Sequence, residues 1–214
     1  RRFGAMPHKT IDPVVLSAKI ILNYQTIVSR EINPVYPAVV TVGAIHGGTK
    51  HNIIPGEVDM KLTLRFFSDA VYRQIKEALV RIANCEAAAA GLPLEKMPVI
   101  DFADEYTPPV ENDANLVSMA VASMETVIGK ENVIRVDPST VAEDFGQYGR
   151  TDEKVKIALF WLGGANREKY DESIANGTNL PALHSSNFTP DFAPAYTTGV
   201  TAMSRTLIDL FNGK

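Results

Sequence analysis

The chain has 214 residues, with 21 Lys and Arg against 25 Asp and Glu for a net charge of −4, and this length predicts one large domain or two small ones. A mildly acidic chain is a poor phosphate binder, which argues against nucleic acid as the main partner. No apolar run approaches the roughly 20 residues that cross a bilayer. A single cysteine, Cys85, excludes an internal disulfide and is consistent with a cytoplasmic location.

The chain first predicts a helix followed by two strands. Asp12 and Pro13 form a capping signal, and apolar residues then recur at helical spacing up to Arg30. Residues 38–45 are rich in β-branched side chains, and residues 58–66 alternate between apolar and polar. The alternation predicts a half-buried strand with one polar face.

A second helix and a further strand complete the first part. Ser68 or Asp69 caps the helix, Gly91 ends it, and residues 97–102 predict the strand. With one more strand ahead of the first helix, the order would be that of the ferredoxin-like, split βαβ unit. That strand would lie upstream of Arg1 or be present only as a stub.

A proline-rich stretch, residues 107–113, predicts a linker, and the pattern changes after it. Alternating strands and helices then suggest part of an open α/β sheet. The elements predicted there are a helix over 113–128, a short strand over 133–136, a short helix over 139–148, a buried strand over 157–162, a long loop over 163–183 and a helix over 193–211.

His184, at the end of the long loop, is a candidate metal ligand. Long loops that emerge from α/β sheets carry active sites, and neutral imidazole suits Zn²⁺. The alternative is a loop histidine hydrogen-bonded to a nearby serine, which this segment alone favours. Glu143 and Asp144 leave a similar choice. They are either acids favoured at a helix start or carboxylates that orient a metal-bound histidine.

Asn52 and Arg65 are candidate substrate-binding residues. Arg65 lies on the polar face of the second strand, where a guanidinium can bind a carboxylate bidentately. The amide of Asn52 can hold a carbonyl oxygen on which negative charge develops. A loop asparagine and a solvated arginine explain the same pattern. Gly163 and Gly164 follow the predicted buried strand and allow close backbone approach to a ligand, without the fingerprint of a dinucleotide site.

Several blocks occur in an order that resembles one enzyme family. The blocks are Gly4–Val15, Gln25–Arg30, Val40–Gly43 with Gly47–Gly48, Asn52–Pro55, Pro108–Asp113, Ala142–Phe145 and His184–Phe188. Together they are similar to the metal-dependent N-acyl-amino-acid amidohydrolases of the aminoacylase/carboxypeptidase superfamily. The branch is that of hippurate hydrolase and the auxin-conjugate hydrolases.

The resemblance implies an α/β protein of two domains. Residues 1–108 would be a ferredoxin-like lid that also forms a homodimer, with its first strand truncated. Residues 109–214 would be the C-terminal part of a zinc-peptidase-like catalytic domain. The implied activity is metal-dependent hydrolysis of the amide bond of N-acyl amino acids or small peptide-like substrates, with two Zn²⁺, or Mn, Co or Ni, in the intact enzyme.

The resemblance also implies residue roles. His184 would be a metal ligand, Asn52 and Arg65 would bind the substrate carbonyl and carboxylate, and Gly163–Gly164 would pass close to substrate. Glu143 and Asp144 would support the active site.

The start of the chain departs from the family, which usually begins its lid motif with Gly-Gly-His-Gly-Ala. Here residues 1–5 are Arg-Arg-Phe-Gly-Ala, so Phe3 replaces the lid histidine. The remaining metal ligands and the Glu general base of the family lie upstream of the lid, so no catalytic residue is assigned within this chain. We expect the chain alone to have little activity and to bind metal poorly. The alternative function is a non-catalytic dimerisation or ligand-binding module of ferredoxin-like fold.

Overall fold

A computed structural model describes residues 2–103, 106–141 and 143–213. The α/β class predicted from the sequence is confirmed, since helices and strands are mixed along the chain. The chain divides into two units, the first formed by Arg1–Pro109 and Ser139–Asp144 and the second by Val110–Pro138 and Phe145–Lys214.

The described residues of the first unit form four strands and two long helices. In chain order they are β1 (Arg2–Phe3), α1 (Pro13–Thr26) with a π-helical turn (Ile27–Glu31), β2 (Ala38–Gly47), β3 (Ile53–Ile54), β4 (Val58–Phe66) and α2 (Asp69–Ala89). Single 3₁₀ turns lie at Pro7–Lys9 and Leu94–Lys96.

The capping signals of the sequence are confirmed in this unit. The Asp12 side chain accepts a hydrogen bond from the Val14 N–H at 2.9 Å, and Ser68 Oγ accepts one from the Val71 N–H at 3.3 Å. These bonds satisfy donors that the first helical turn leaves without a partner. Gly91, two residues after α2, has a φ of +79°, a left-handed conformation that glycine adopts without strain.

Two antiparallel pairs of strands position the candidate site of the first unit. β2 pairs with β4 from Ala38 opposite Phe66 to Gly47 opposite Val58, with an irregularity at Gly43. β1 pairs with β3. The predicted alternation along β4 is confirmed, because one face packs against the core and the other carries the polar residues.

The core of the first unit lies between α1, α2 and one face of the β2–β4 pair. Ile27 and Ile75 are fully buried within it, and Asn23 Nδ2 donates a 2.6 Å hydrogen bond to Glu86 Oε1 between the two helices. The strand side of the core consists of Ala38, Val40, Val42, Met60, Leu62, Leu64 and Phe66.

The strand predicted over residues 97–102 does not form. Met97, Ile100 and Phe102 do turn toward the core, but the segment has no ladder partner among the described residues. Pro98 within it has no N–H to donate to a neighbouring strand. The spacing of the apolar residues in this segment therefore indicates that they are buried, and it does not indicate that the segment pairs as a strand.

The second unit is built on helices. Its long elements are α3 (Ala114–Ile128), α4 (Arg167–Ala175) and α5 (Phe192–Phe211). Asp113 lies just before α3 and caps it, since its side chain accepts a 2.8 Å bond from the Leu116 N–H. α3 and α5 pack around a small core of Ala120, Met124 and Ala202. No described helix of either unit is long and apolar enough to span a membrane.

Several predictions for this part of the chain are wrong. Residues 133–136 and 157–162 form no strand within the part that the structure describes, and a 3₁₀ turn over Asp144–Arg150 replaces most of the helix predicted over 139–148. The long loop contains α4. Side chains of the 157–162 run are half exposed after Ile157, which is 8% exposed. A strand needs a neighbouring strand to pair with along its length, and the described residues of this unit form none.

Candidate functional site

Asn52 lies in the turn that leads into β3. Its side chain is exposed, while its backbone carbonyl accepts a 2.8 Å hydrogen bond from the Gly4 N–H. That bond continues the β1–β3 pairing by one step, because Phe3 lies opposite Ile53. The amide group is therefore held at the surface by a backbone that is fixed from the opposite strand.

Arg65 lies near the end of β4, opposite Val39 of β2, and is partly exposed. Its neighbours on the core side, Leu64 and Phe66, are packed against the helices, so alternation directs Arg65 to the other face. The described contacts include no hydrogen bond between Arg65 and Asn52.

In the second unit, Gly164 is packed against the segment that follows His184. Its carbonyl accepts a 2.7 Å bond from the Asp191 N–H, and a Cβ at this position would meet Phe188 at 3.6 Å and Pro190 at 3.5 Å. Gly163 has open space around it. The structure thus brings the Gly-Gly segment next to the end of the loop that carries His184.

Asp191 joins the same segment to the start of α4. It accepts a 2.5 Å bond from Lys169 Nζ and a 2.9 Å bond from the Asn166 N–H. The Lys169 bond, and then the Asn166 N–H, hold the pKa of the Asp191 carboxyl below its usual value. Asp191 is therefore ionised at neutral pH and links the start of the long loop, at Asn166 and Lys169, to the segment that follows His184.

His184 is exposed and has a φ of +65°, in the left-handed region that few residues other than glycine adopt. The alternative to a metal ligand was a loop histidine hydrogen-bonded to a nearby serine, and no such bond is among the described contacts. Ser185 Oγ instead accepts from the Asn187 N–H at 3.2 Å. A backbone outlier of this kind marks a position worth testing for function.

Glu143 and Asp144 are both exposed, and Asp144 begins the 3₁₀ turn that ends at Arg150. Ala142, which precedes them in the matching block, lies outside the described residues. Their supporting role stays a prediction.

The described residues do not form a metal site by themselves. Within residues 2–103, 106–141 and 143–213, no three His, Cys, Asp or Glu side chains are grouped so that they could share an ion. Structural and catalytic zinc sites use three or four protein ligands, so the one candidate, His184, is insufficient. The donor set present does not fit the two-metal centre that the resemblance implies.

The structure adds one residue that the sequence analysis did not single out. Gly4 contacts the backbone of Asn52 so closely that a Cβ would lie 3.2 Å from its carbonyl oxygen. The sequence marks Gly4 only as a glycine within the first matching block. Its partner, Asn52, lies far along the chain, so residue spacing does not reveal the contact.

Comparison with known proteins finds peptidases and deacetylases that are similar to this chain. Residues 2–90 match the family model of the peptidase dimerisation domain. The N-acetyldiaminopimelate deacetylase of Oenococcus oeni is 32% identical over 205 residues, covering 96% of this chain and 48% of the relative. Thermostable carboxypeptidase 1 of Saccharolobus solfataricus is 29% identical over 166 residues, covering 78% and 40%.

A solved structure shows the same fold. A Bacillus subtilis protein, a dinuclear metal-binding peptidase from the M20 family, superposes with a TM-score of 0.67 at 21% identity. The superposition covers 96% of this chain and 47% of that one. The chain therefore spans about half the length of the relatives it matches.

Proposed function

This chain belongs to the M20 family of peptidases and amidohydrolases, and from that premise we propose that it takes part in hydrolysing the amide bond of an N-acyl amino acid or a small peptide-like substrate. The observation that carries the proposal is the alignment over 96% of the chain with a deacetylase of an N-acetylated amino acid. The alignment extends over both units. A relative limited to the dimerisation domain would not supply that argument.

The proposed roles follow the positions of the side chains. Asn52 holds the substrate carbonyl and Arg65 binds its carboxylate, since both present polar groups on the surface of the first unit. In the second unit, Gly163 and Gly164 let the backbone approach substrate and His184 supplies one metal ligand. Glu143 and Asp144 have a supporting role in the proposed active site of the complete enzyme, and no general base is assigned within the chain.

The proposed organisation assigns residues 1–108 to a lid that forms a homodimer and residues 109–214 to the C-terminal part of the catalytic domain. The match to a dimerisation domain supports the homodimer. The metal-binding peptidase of similar fold supports a divalent metal in the complete enzyme, for which Zn²⁺, Mn, Co and Ni are the candidates. We assign the protein to the cytoplasm.

The test uses the full-length protein that contains this chain, which we call the extended protein. We expect His184→Ala to lower the rate of hydrolysis of an N-acetyl amino acid by about 100-fold or more, because the loss of a ligand lowers the affinity of the protein for its metal. The matched control is His46→Ala, an exposed histidine of β2. Comparison of kcat, metal content and thermal stability separates loss of the site from misfolding.

A second candidate function is a dimerisation or ligand-binding module without catalysis. It is favoured by the match of residues 2–90 to a dimerisation domain and by the lack of a three-ligand group within the described residues. The same experiment decides between the two. Hydrolysis that stays unchanged in the His184→Ala protein, or that is absent from the extended protein, favours the binding module.

A further inference from the structure

We propose that Gly4 is a positioning residue for Asn52. The lack of a side chain and the backbone N–H at Gly4 together fix the turn that presents the Asn52 amide. The inference rests on the proposed function for the role of Asn52 toward substrate, but the positioning itself is a property of the first unit.

The first support is the hydrogen bonding of β1 with β3. Arg2 lies opposite Ile54 and Phe3 opposite Ile53, and the Gly4 N–H then donates to the Asn52 carbonyl at 2.8 Å. Ile54 is only 7% exposed, so the end of this pair is anchored in the interior. Asn52 is thereby held between a buried strand residue and a backbone bond from a distant part of the chain.

The second support is the contact distance at Gly4. A Cβ there would lie 3.2 Å from the carbonyl oxygen, 3.3 Å from the carbonyl carbon and 3.6 Å from the Cα of Asn52. All three atoms are backbone, so no rotamer change can relieve the contact. By contrast, a Cβ at Gly47 would meet the side chain of Val58. Any residue larger than glycine at position 4 must therefore displace the Asn52 turn by a few tenths of an ångström.

Apart from its anchor at the buried Ile54, the turn has few contacts that resist such a displacement. On its other side the Ile53 N–H donates to the Lys50 carbonyl at 3.3 Å, a longer bond than that from Gly4. Gly48, at the start of the turn, has a φ of +77°. The Asn52 side chain is exposed and has no described side-chain partner to hold it. Its placement thus depends on its backbone.

The first experiment uses the 214-residue chain and ¹⁵N NMR spectroscopy. We expect Gly4→Ala to shift the backbone and side-chain amide resonances of Asn52, whereas Gly43→Ala leaves them unchanged. Gly43 is the matched control, since its added Cβ would meet only the Lys61 carbonyl oxygen at 3.9 Å, an ordinary contact. Asn52 resonances that move no more in Gly4→Ala than in Gly43→Ala overturn the proposal.

A second measurement keeps the proposal testable if Gly4→Ala does not fold. In the unsubstituted chain, the Gly4 N–H should exchange with solvent at least about tenfold more slowly than an unprotected amide, because its carbonyl partner is fixed. Exchange at the unprotected rate contradicts the bond on which the positioning depends.

The functional consequence is measured in the extended protein. We expect Gly4→Ala to lower kcat by about tenfold with little change in KM, because misplacement of a group that acts on the developing charge affects the transition state most. Asn52→Ala is the reference for the role of the amide itself. If Asn52→Ala leaves kcat unchanged, the proposed function of Asn52 fails, while the NMR result still decides the positioning. If Asn52→Ala lowers kcat and Gly4→Ala does not, the positioning proposal fails.

Discussion

Tyr24, on α1, has a strongly perturbed pKa. It is 3% exposed within the core of α1 and α2, and burial raises the pKa of its phenol to about 12. Burial disfavours the phenolate because a charge loses its hydration there. The neutral form is therefore part of the folded state, although Tyr24 has no place in the proposed chemistry.

This shift predicts how stability changes at alkaline pH. An unfolded Tyr ionises near pH 10 and Tyr24 only near 12, so its contribution is fully present below pH 10 and is lost as the pH rises through 12. We expect this difference in ionisation to lower the free energy of unfolding by about 1 kcal/mol at pH 11. Urea denaturation of the chain and of Tyr24→Phe, at pH 8 and pH 11, measures the difference. An equal loss in both proteins contradicts the prediction.

At the scale of residues, sequence reasoning worked where the physics is local. The sequence predicts Asp12 as one cap and Ser68 or Asp69 as the other, because a cap and its N–H partner lie within three residues, and the structure shows Asp12 and Ser68 in that role. The contact between Gly4 and Asn52 joins positions 48 residues apart, and only the folded chain reveals it. The proposed roles of Asn52, Arg65 and His184 rest on the resemblance to the family, because the spacing of these residues also fits ordinary surface residues.

At the scale of elements, the apolar run over residues 157–162 shows what periodicity cannot decide. The apolar run predicts a buried strand. In the structure, the backbone of this run is hydrogen-bonded by the side chain of Asn112, and no neighbouring strand is present among the described residues. Asn112 Nδ2 donates to the Leu159 carbonyl at 2.8 Å, and the Leu159 N–H donates to Asn112 Oδ1 at 2.8 Å. The Asp113 N–H adds a 2.8 Å bond to the Ile157 carbonyl. An apolar run predicts that a segment packs against other residues, whereas its backbone hydrogen-bond partners are set by residues distant in the sequence.

The Asn112 contact gives a prediction for the stability of the second unit. Asn112→Asp loses the N–H donor and faces the Leu159 carbonyl with a charged oxygen, so we expect about 1–2 kcal/mol less unfolding free energy. Trp161, the single tryptophan, lies in the same run, and its fluorescence during urea denaturation reports the change.

The control for this prediction is Asn115→Asp. It makes the same charge change at an exposed position in the first turn of α3, where a negative charge is compatible with the helix dipole. If both variants leave the Trp161 transition unchanged, the pair of bonds to Asn112 contributes little to the fold.

At the scale of the whole molecule, the family match and the fold agree on a boundary within the first unit. The dimerisation domain matches residues 2–90, and α2 ends at Ala89, two residues before the left-handed Gly91. The match thus contains every element from β1 to α2. The segment with Met97, Ile100 and Phe102 packs against the same core although it lies outside the matched range. Packing therefore extends the unit beyond what the domain match covers, toward the linker predicted at residues 107–113.

The metal requirement gives the prediction for the 214-residue chain as a whole. His184 is exposed and no three-ligand group includes it among the described residues. A single exposed imidazole holds Zn²⁺ weakly, because tight sites combine three or four ligands. We therefore expect isothermal titration with ZnCl₂ to show no stoichiometric tight site and no difference between the chain and His184→Ala. Hydrolysis of N-acetyl amino acids should stay at the level of the buffer. One tightly bound Zn²⁺ per chain that His184→Ala abolishes, together with amide hydrolysis, would show that the chain completes a metal site that its described residues do not reveal.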